Sequence, residues 1–100
     1  MSDIKLFRLM SGEEILASVV GTSPDYVELT DAVVLVYHRA AEDKMSVGFA
    51  PFMPYAEGNI ILYSRAIETT STCTEQLLGE YSRIFGKIQV APAGILTGLN

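Results

Sequence analysis

Apolar positions come in short runs over the first two thirds of the chain, and each run ends at residues that form turns. Residues 4–10 are apolar-rich and close at Ser11-Gly12; residues 15–20 follow and stop at Gly21. Thr22-Ser23-Pro24-Asp25 is a cluster of turn formers and predicts a loop. Extended character resumes over 26–29, with a kink expected at Thr30-Asp31. Residues 32–37 are almost wholly apolar and rich in β-branched side chains, which favour strands. Residues 40–44 read as a charged hairpin tip and 45–52 as the returning strand. Pro51, Pro54, Gly58 and Asn59 interrupt regular pairing, so 51–59 is expected to be a loop. Strands at 60–63 and 66–70 complete the series.

The alternation within these strands is incomplete. Ile15, Ala17 and Val19 face one way, while Leu16 and Val20 face the other with only Ser18 polar between them. Both faces are therefore expected to be partly buried. A small, strongly bent barrel does this, and so does a strand buried in an oligomer. Short strands with turn signals this close together favour the barrel over a sandwich.

The period changes at 73–85. Leu77, Leu78, Tyr81, Ile84 and Phe85 fall on one helical stripe, with Glu75, Gln76, Ser82 and Arg83 on much of the opposite face. Thr72 is expected to cap this helix, with Glu75 completing a capping box. Gly86 suits a left-handed stop and Lys87 the negative end of the helix dipole. Gly79 opposes the helix by about 1 kcal/mol relative to Ala, less than burial of even one large apolar side chain returns. The segment 88–100 carries no charged side chain, and Ile88, Val90, Ile95, Leu96 and Leu99 are spaced by Pro92, Gly94 and Gly98. It is expected to dock, on its own domain or on a neighbouring subunit.

With 100 residues, the chain has room for one domain: a barrel over 1–72, then a helix and apolar tail over 73–100. Its 49% hydrophobic and 19% charged residues exclude a disordered chain. A single cysteine excludes an internal disulfide framework and a Cys-rich zinc site. The net charge of −5 argues against broad electrostatic binding of nucleic acid but leaves room for a local cationic spot. No secretory leader is evident and no apolar run is long enough to span a membrane, so a cytoplasmic location is expected.

Catalytic chemistry finds little support. His38, the one histidine, stands at the end of an apolar strand and reads as solvated or structural. Cys73 sits near a helix start, where a thiol pKa can fall, but lacks a second Cys or His and reads as structural. Glu13 and Glu14 are adjacent at a turn and point to opposite faces of any strand they join. There is no phosphate-cradling glycine loop. No enzyme activity, cofactor or metal is expected.

Two segments resemble a known family. Leu9-Met10-Ser11-Gly12-Glu13-Glu14-Ile15-Leu16-Ala17-Ser18-Val19-Val20, followed by Asp25-Tyr26-Val27-Glu28-Leu29-Thr30-Asp31-Ala32, resembles the first signature of the Sm/LSm family. Ile61-Leu62-Tyr63-Ser64-Arg65-Ala66-Ile67-Glu68-Thr69 resembles the second signature, nearest to its bacterial Hfq branch. The resemblance covers roughly residues 4–70. It implies a mainly β fold: a small, strongly bent, five-stranded barrel of the SH3 type, here with one C-terminal helix and no N-terminal helix. It also implies a homo-oligomeric ring closed by pairing of edge strands. The loop 51–59 looks like an insertion within the fourth strand.

The family's two signature loops line the ring's central hole and hold single-stranded, often uridine-rich RNA. On that resemblance Tyr26 matches the base-stacking position, Ser64 and Arg65 match the second-signature loop, and Asp25 stands where the family has a polar Gln. Ser64 and Arg65 replace the Lys and His of the Hfq-like motif. Two plainer readings stand beside this one: Tyr26 packs on a neighbour, and Arg65 pairs with Asp25 to hold the loops together. The alternative function is a structural or adaptor ring that binds no nucleic acid, with the loop 51–59 or the apolar tail meeting a protein partner.

Overall fold

A computed structural model describes residues 3–39 and 45–85. The expected hairpin tip 40–44, the helix stop at Gly86 and Lys87, and the tail 88–100 lie outside the described residues. The described residues form six strands and one α-helix: β1 (Asp3–Leu9), β2 (Glu14–Thr22), β3 (Tyr26–Arg39), β4 (Met45–Pro51), β5 (Ile60–Tyr63), β6 (Ile67–Ser71) and α1 (Glu75–Ile84). A short 3₁₀ turn, Ser64–Ala66, joins β5 to β6. Their strand pairings are antiparallel, in the order β4-β3-β2-β1-β6, with β5 also paired to β3. The fold is mainly β with a single C-terminal helix, as expected, and the sheet does not close on itself.

The long strand β3 organises the sheet. Its second half pairs with β4, from Val33↔Pro51 to Arg39↔Met45. Its first half pairs with β5, from Tyr26↔Tyr63 to Leu29↔Ile60. Residues 52–59 therefore stand opposite residues 30–32, far more chain than a continuous strand would need. This excursion falls in the expected loop, and the described residues form six strands where the resemblance implied five. The expected kink at Thr30-Asp31 falls inside a continuous strand, where Asp31 has a left-handed φ of 55°. Register shifts between Leu16 and Ser18, between Val19 and Gly21, and between Arg8 and Leu9 mark bulges, which bend strands.

Two cores explain the incomplete alternation. On one side Phe7, Leu9, Ile15, Ala17, Leu29 and Leu62 are buried together, with Val19 packed against them. On the opposite side Leu16, Val33 and Leu35 are buried under Tyr81 of α1, with Leu77, Phe85 and Phe49 around them. The second buried face of β2 is thus covered by the chain's own helix. Val20 lies beyond that cover and is exposed.

Helix α1 starts two residues later than its sequence signals suggest. Its cap is Thr74, whose Oγ1 accepts from the Leu77 amide at 3.3 Å, rather than Thr72. A capping oxygen belongs to the residue just before the first helical one and reaches the amide two or three residues on, and with the helix beginning at Glu75 only Thr74 is placed for it. The helix is anchored by Tyr81, which is fully buried. Its hydroxyl donates to the Asp31 carbonyl at 2.7 Å and lies 3.2 Å from the Ser18 hydroxyl. The helix is thereby tied to the kink of β3, and the one polar side chain in the β2 run, Ser18, has a buried partner.

Candidate functional site

The β2–β3 turn is tight. The Ser23 amide donates to the Tyr26 carbonyl at 2.9 Å and the Tyr26 amide to the Ser23 carbonyl at 3.4 Å, leaving Pro24-Asp25 at the tip. Proline presets φ and cannot donate, which suits a tip position. The turn after β5 is fastened to it: the Ser64 amide donates to the Asp25 carbonyl at 2.8 Å and the Ser64 hydroxyl to the Pro24 carbonyl at 3.4 Å. The Met10 amide donates to the Ala66 carbonyl at 2.7 Å and holds the other end of the 3₁₀ turn on β1. Residues far apart in the chain become one rigid corner.

Three side chains meet there. Tyr26 is half-buried and meets exposed Tyr63 edge to face, with ring centroids 6.4 Å apart. The Arg65 guanidinium lies over the Tyr63 ring, 4.9 Å from its centroid, within the range of a cation–π contact. Alternation along β3 and β5 produces this arrangement: Val27, Leu29 and Leu62 point into the core, so Tyr26 and Tyr63 point out. Nearby, the Asn59 side-chain amide donates to Glu28 at 3.0 Å and fastens the end of the loop 51–59 to β3.

All four residues that the sequence nominates for the site, Asp25, Tyr26, Ser64 and Arg65, therefore lie at one corner. Their parts differ from the simple expectation. Among the described residues no ion pair joins Arg65 to Asp25; the guanidinium rests on Tyr63 instead. Ser64 fastens the two turns. Tyr63 is a site residue that the sequence does not nominate, although it belongs to the very motif that carries the resemblance. Its register opposite Tyr26 is a tertiary fact that the motif does not contain.

Beside the same corner, which contributes Ser64 to its wall, lies a cleft of about 390 Å³. It is lined by Phe7, Val19, Val27, Ser64, Ile67 and Thr70 among others.

The other candidate groups are placed as follows. His38 is exposed near the end of β3, opposite Ser46. Cys73 is half-buried beside the core under α1, and burial pushes its thiol pKa up, away from a reactive thiolate. Glu14 accepts hydrogen bonds from Tyr37 and Arg8. These hold its carboxyl below the usual carboxylate range and raise the Tyr37 phenol above its own. Glu13 instead accepts from the Ser11 hydroxyl at 2.6 Å. No helix among the described residues is long and apolar enough to cross a membrane. The sequence matches no protein-family model and no curated protein.

Proposed function

We propose that this is a ring-forming Sm-like protein of the cytoplasm that binds single-stranded RNA, uridine-rich stretches included, without covalent chemistry. The observation that carries the reading is the corner itself: Tyr26, Tyr63 and Arg65 meet on the outward side of two turns fastened together through Ser64. Aromatic faces accept unstacked bases, and an arginine can pair with phosphate or join the stack. The free edges support the ring. Among the described residues β6 pairs only with β1, while β4 and β5 pair only with β3. Unsatisfied strand edges on opposite sides of one sheet suit head-to-tail pairing between copies. A ring repeats the corner, and repeated weak sites gain avidity.

One observation favours a second reading, a structural or adaptor ring. Tyr55 is 99% exposed and Met53 51% exposed on the loop 51–59, an apolar tip that no described residue covers. Titration of nucleic-acid-free protein with labelled oligo-uridine at low and physiological salt, with the mass in solution measured on the same sample, separates the two. Saturable binding by an oligomer supports the RNA reading. An oligomer that binds nothing even at low salt supports the adaptor reading, and a monomer that binds nothing removes both.

A further inference from the structure

The loop 51–59 is held at both ends, although its tip is bare. At one end half-buried Phe52 packs against the core around Leu29, and its amide donates to the Ala32 carbonyl at 3.1 Å. At the other end Asn59 donates to Glu28 at 3.0 Å. Between them the Ala56 amide donates to the Met53 carbonyl at 3.0 Å and closes a turn. On that turn Tyr55 is 99% and Met53 51% exposed. A tip fixed in this way has little freedom to lose on docking. The cleft of about 390 Å³ beside the corner has the complementary character. Its apolar walls are Phe7, Val19, Val27 and Ile67, which belong to the same core or pack against it. No residue of 51–59 lines the cleft, so within one copy the tip and the cleft stay apart.

We propose that Met53 and Tyr55 of one copy seat in the cleft of the next, so that the loop clasps neighbouring copies together. The contact rests on the ring reading above, and not on RNA binding. Tip and cleft stand at different edges of the sheet. The loop leads directly into β5, and the cleft takes Ile67 and Thr70 from β6. Among the described residues β5 pairs only with β3 and β6 only with β1. A contact between two unlike surfaces of one chain is head-to-tail, and it repeats around a closed ring. Every pairing within the sheet is antiparallel. The same sense between copies sets the Ile60 end of β5, where the loop ends, against the end of the next β6 that carries Thr70 and borders the cleft. The chemistry matches. A phenol ring and a thioether leave water for apolar walls, and the Thr22 and Thr70 hydroxyls stand in the cleft to meet the Tyr55 hydroxyl. The one charge on the loop, Glu57, meets the one cation lining the cleft, Lys5, whose pairing with Asp3 is long at 3.8 Å. Ser64 also lines the cleft, so the neighbour's loop lies beside the corner.

Photocross-linking tests it. The photoreactive amino acid p-benzoylphenylalanine replaces Tyr55 in the full chain, purified free of nucleic acid, and the mass in solution is measured before irradiation. Covalent dimers are isolated on a denaturing gel and the joined peptides identified by mass spectrometry. Dimers joined from position 55 to the peptides that carry Val19, Val27 or Ile67 are expected. An oligomer that gives dimers joined elsewhere, or no dimers, overturns the clasp and leaves the strand-edge ring standing; a monomer in solution overturns both. Tyr55→Ser gives a second reading without the bulky probe, at a site too exposed to disturb folding. In a dilution series this variant is expected to dissociate at several-fold higher protein concentration than the parent. An unchanged dissociation midpoint overturns the proposal.

Discussion

Removing a single oxygen tests how the helix is held. Tyr81→Phe keeps the ring, its contacts with Phe49 and Phe85 and the apolar burial, and deletes only the hydroxyl. That hydroxyl donates to the Asp31 carbonyl at 2.7 Å and meets Ser18 Oγ at 3.2 Å, in a place where Tyr81 is fully buried and Ser18 is 3% exposed. The contact with Ser18 is buried and the bond to the Asp31 carbonyl partly so, which limits the water that could replace them. Leaving a buried polar group without its partner costs about 1–3 kcal/mol, against ~0.5–1.5 kcal/mol for the net worth of an ordinary hydrogen bond. The variant is therefore expected to lose about 1–3 kcal/mol, a fall in Tm of roughly 4–8 °C per kcal/mol for a domain of this size. Urea titration followed by circular dichroism is the assay, at matched protein concentration because association shifts apparent stability. Ser18→Ala in the Tyr81→Phe background is expected to recover part of the loss, since it removes the stranded Ser18 hydroxyl as well. A Tyr81→Phe protein within about 0.5 kcal/mol of the parent, the range of a neutral surface change, would refute the hydroxyl as anchor.

Other outcomes follow from the same geometry. Glu14 has a folded-state pKa below its unfolded one, so its contribution is fully present above the unfolded value of about 4.3 and is lost as pH falls through the folded value. Stability is thus expected to drop on acidification below about pH 5, and Glu14→Gln to reduce that dependence in a pH series of urea midpoints. If the corner binds RNA, Tyr26→Ala is expected to weaken oligo-uridine binding by about 1–3 kcal/mol for one stacked base; fluorescence anisotropy reads it, and unchanged affinity removes Tyr26 from the site. Arg65→Ala is expected to weaken binding and to shallow its salt slope by about 0.7 for each single-strand phosphate left without its cation. Gly12 has φ +103° in the β1–β2 turn and open space around its missing side chain. Gly12→Ala is therefore expected to destabilise by about 1–2 kcal/mol through backbone strain alone; a thermal melt unchanged from the parent would contradict this.

Much of the candidate corner is legible in the linear chain, because the motifs carry it. Asp25 and Tyr26 follow a turn cluster, and Ser64 and Arg65 follow an apolar strand, so both sets are placed at strand ends by local chemistry. Their meeting depends on β5 pairing with the first half of β3, an approach of distant segments that no local signal encodes. The same holds for Tyr63: its residue type is visible in the motif, and its register opposite Tyr26 is not. The expected pairing of Arg65 with Asp25 rested on opposite charge. The guanidinium lies over an aromatic face in a corner where both charges remain exposed, and an exposed ion pair is worth little.

Strand character, the turns at Ser11-Gly12 and Pro24-Asp25, the kink near Asp31 and the amphipathic stripe of α1 all come from local preferences, so the linear chain carries them. Spacing of apolar residues also announces that β2 is buried on both faces. What lies against each face stays open at that level, since a barrel interior, a helix and a neighbouring subunit ask for the same side chains. Packing chose the helix for the outer face of Leu16, because Tyr81 brings both a large ring and a hydroxyl to Ser18 and the Asp31 carbonyl. Packing also gave β3 two partners on one edge, since it is long enough to pair with β4 and β5 while the residues between them leave the sheet. Local rules act within a few residues along the chain; partners are selected by shape and by satisfied polar groups in three dimensions.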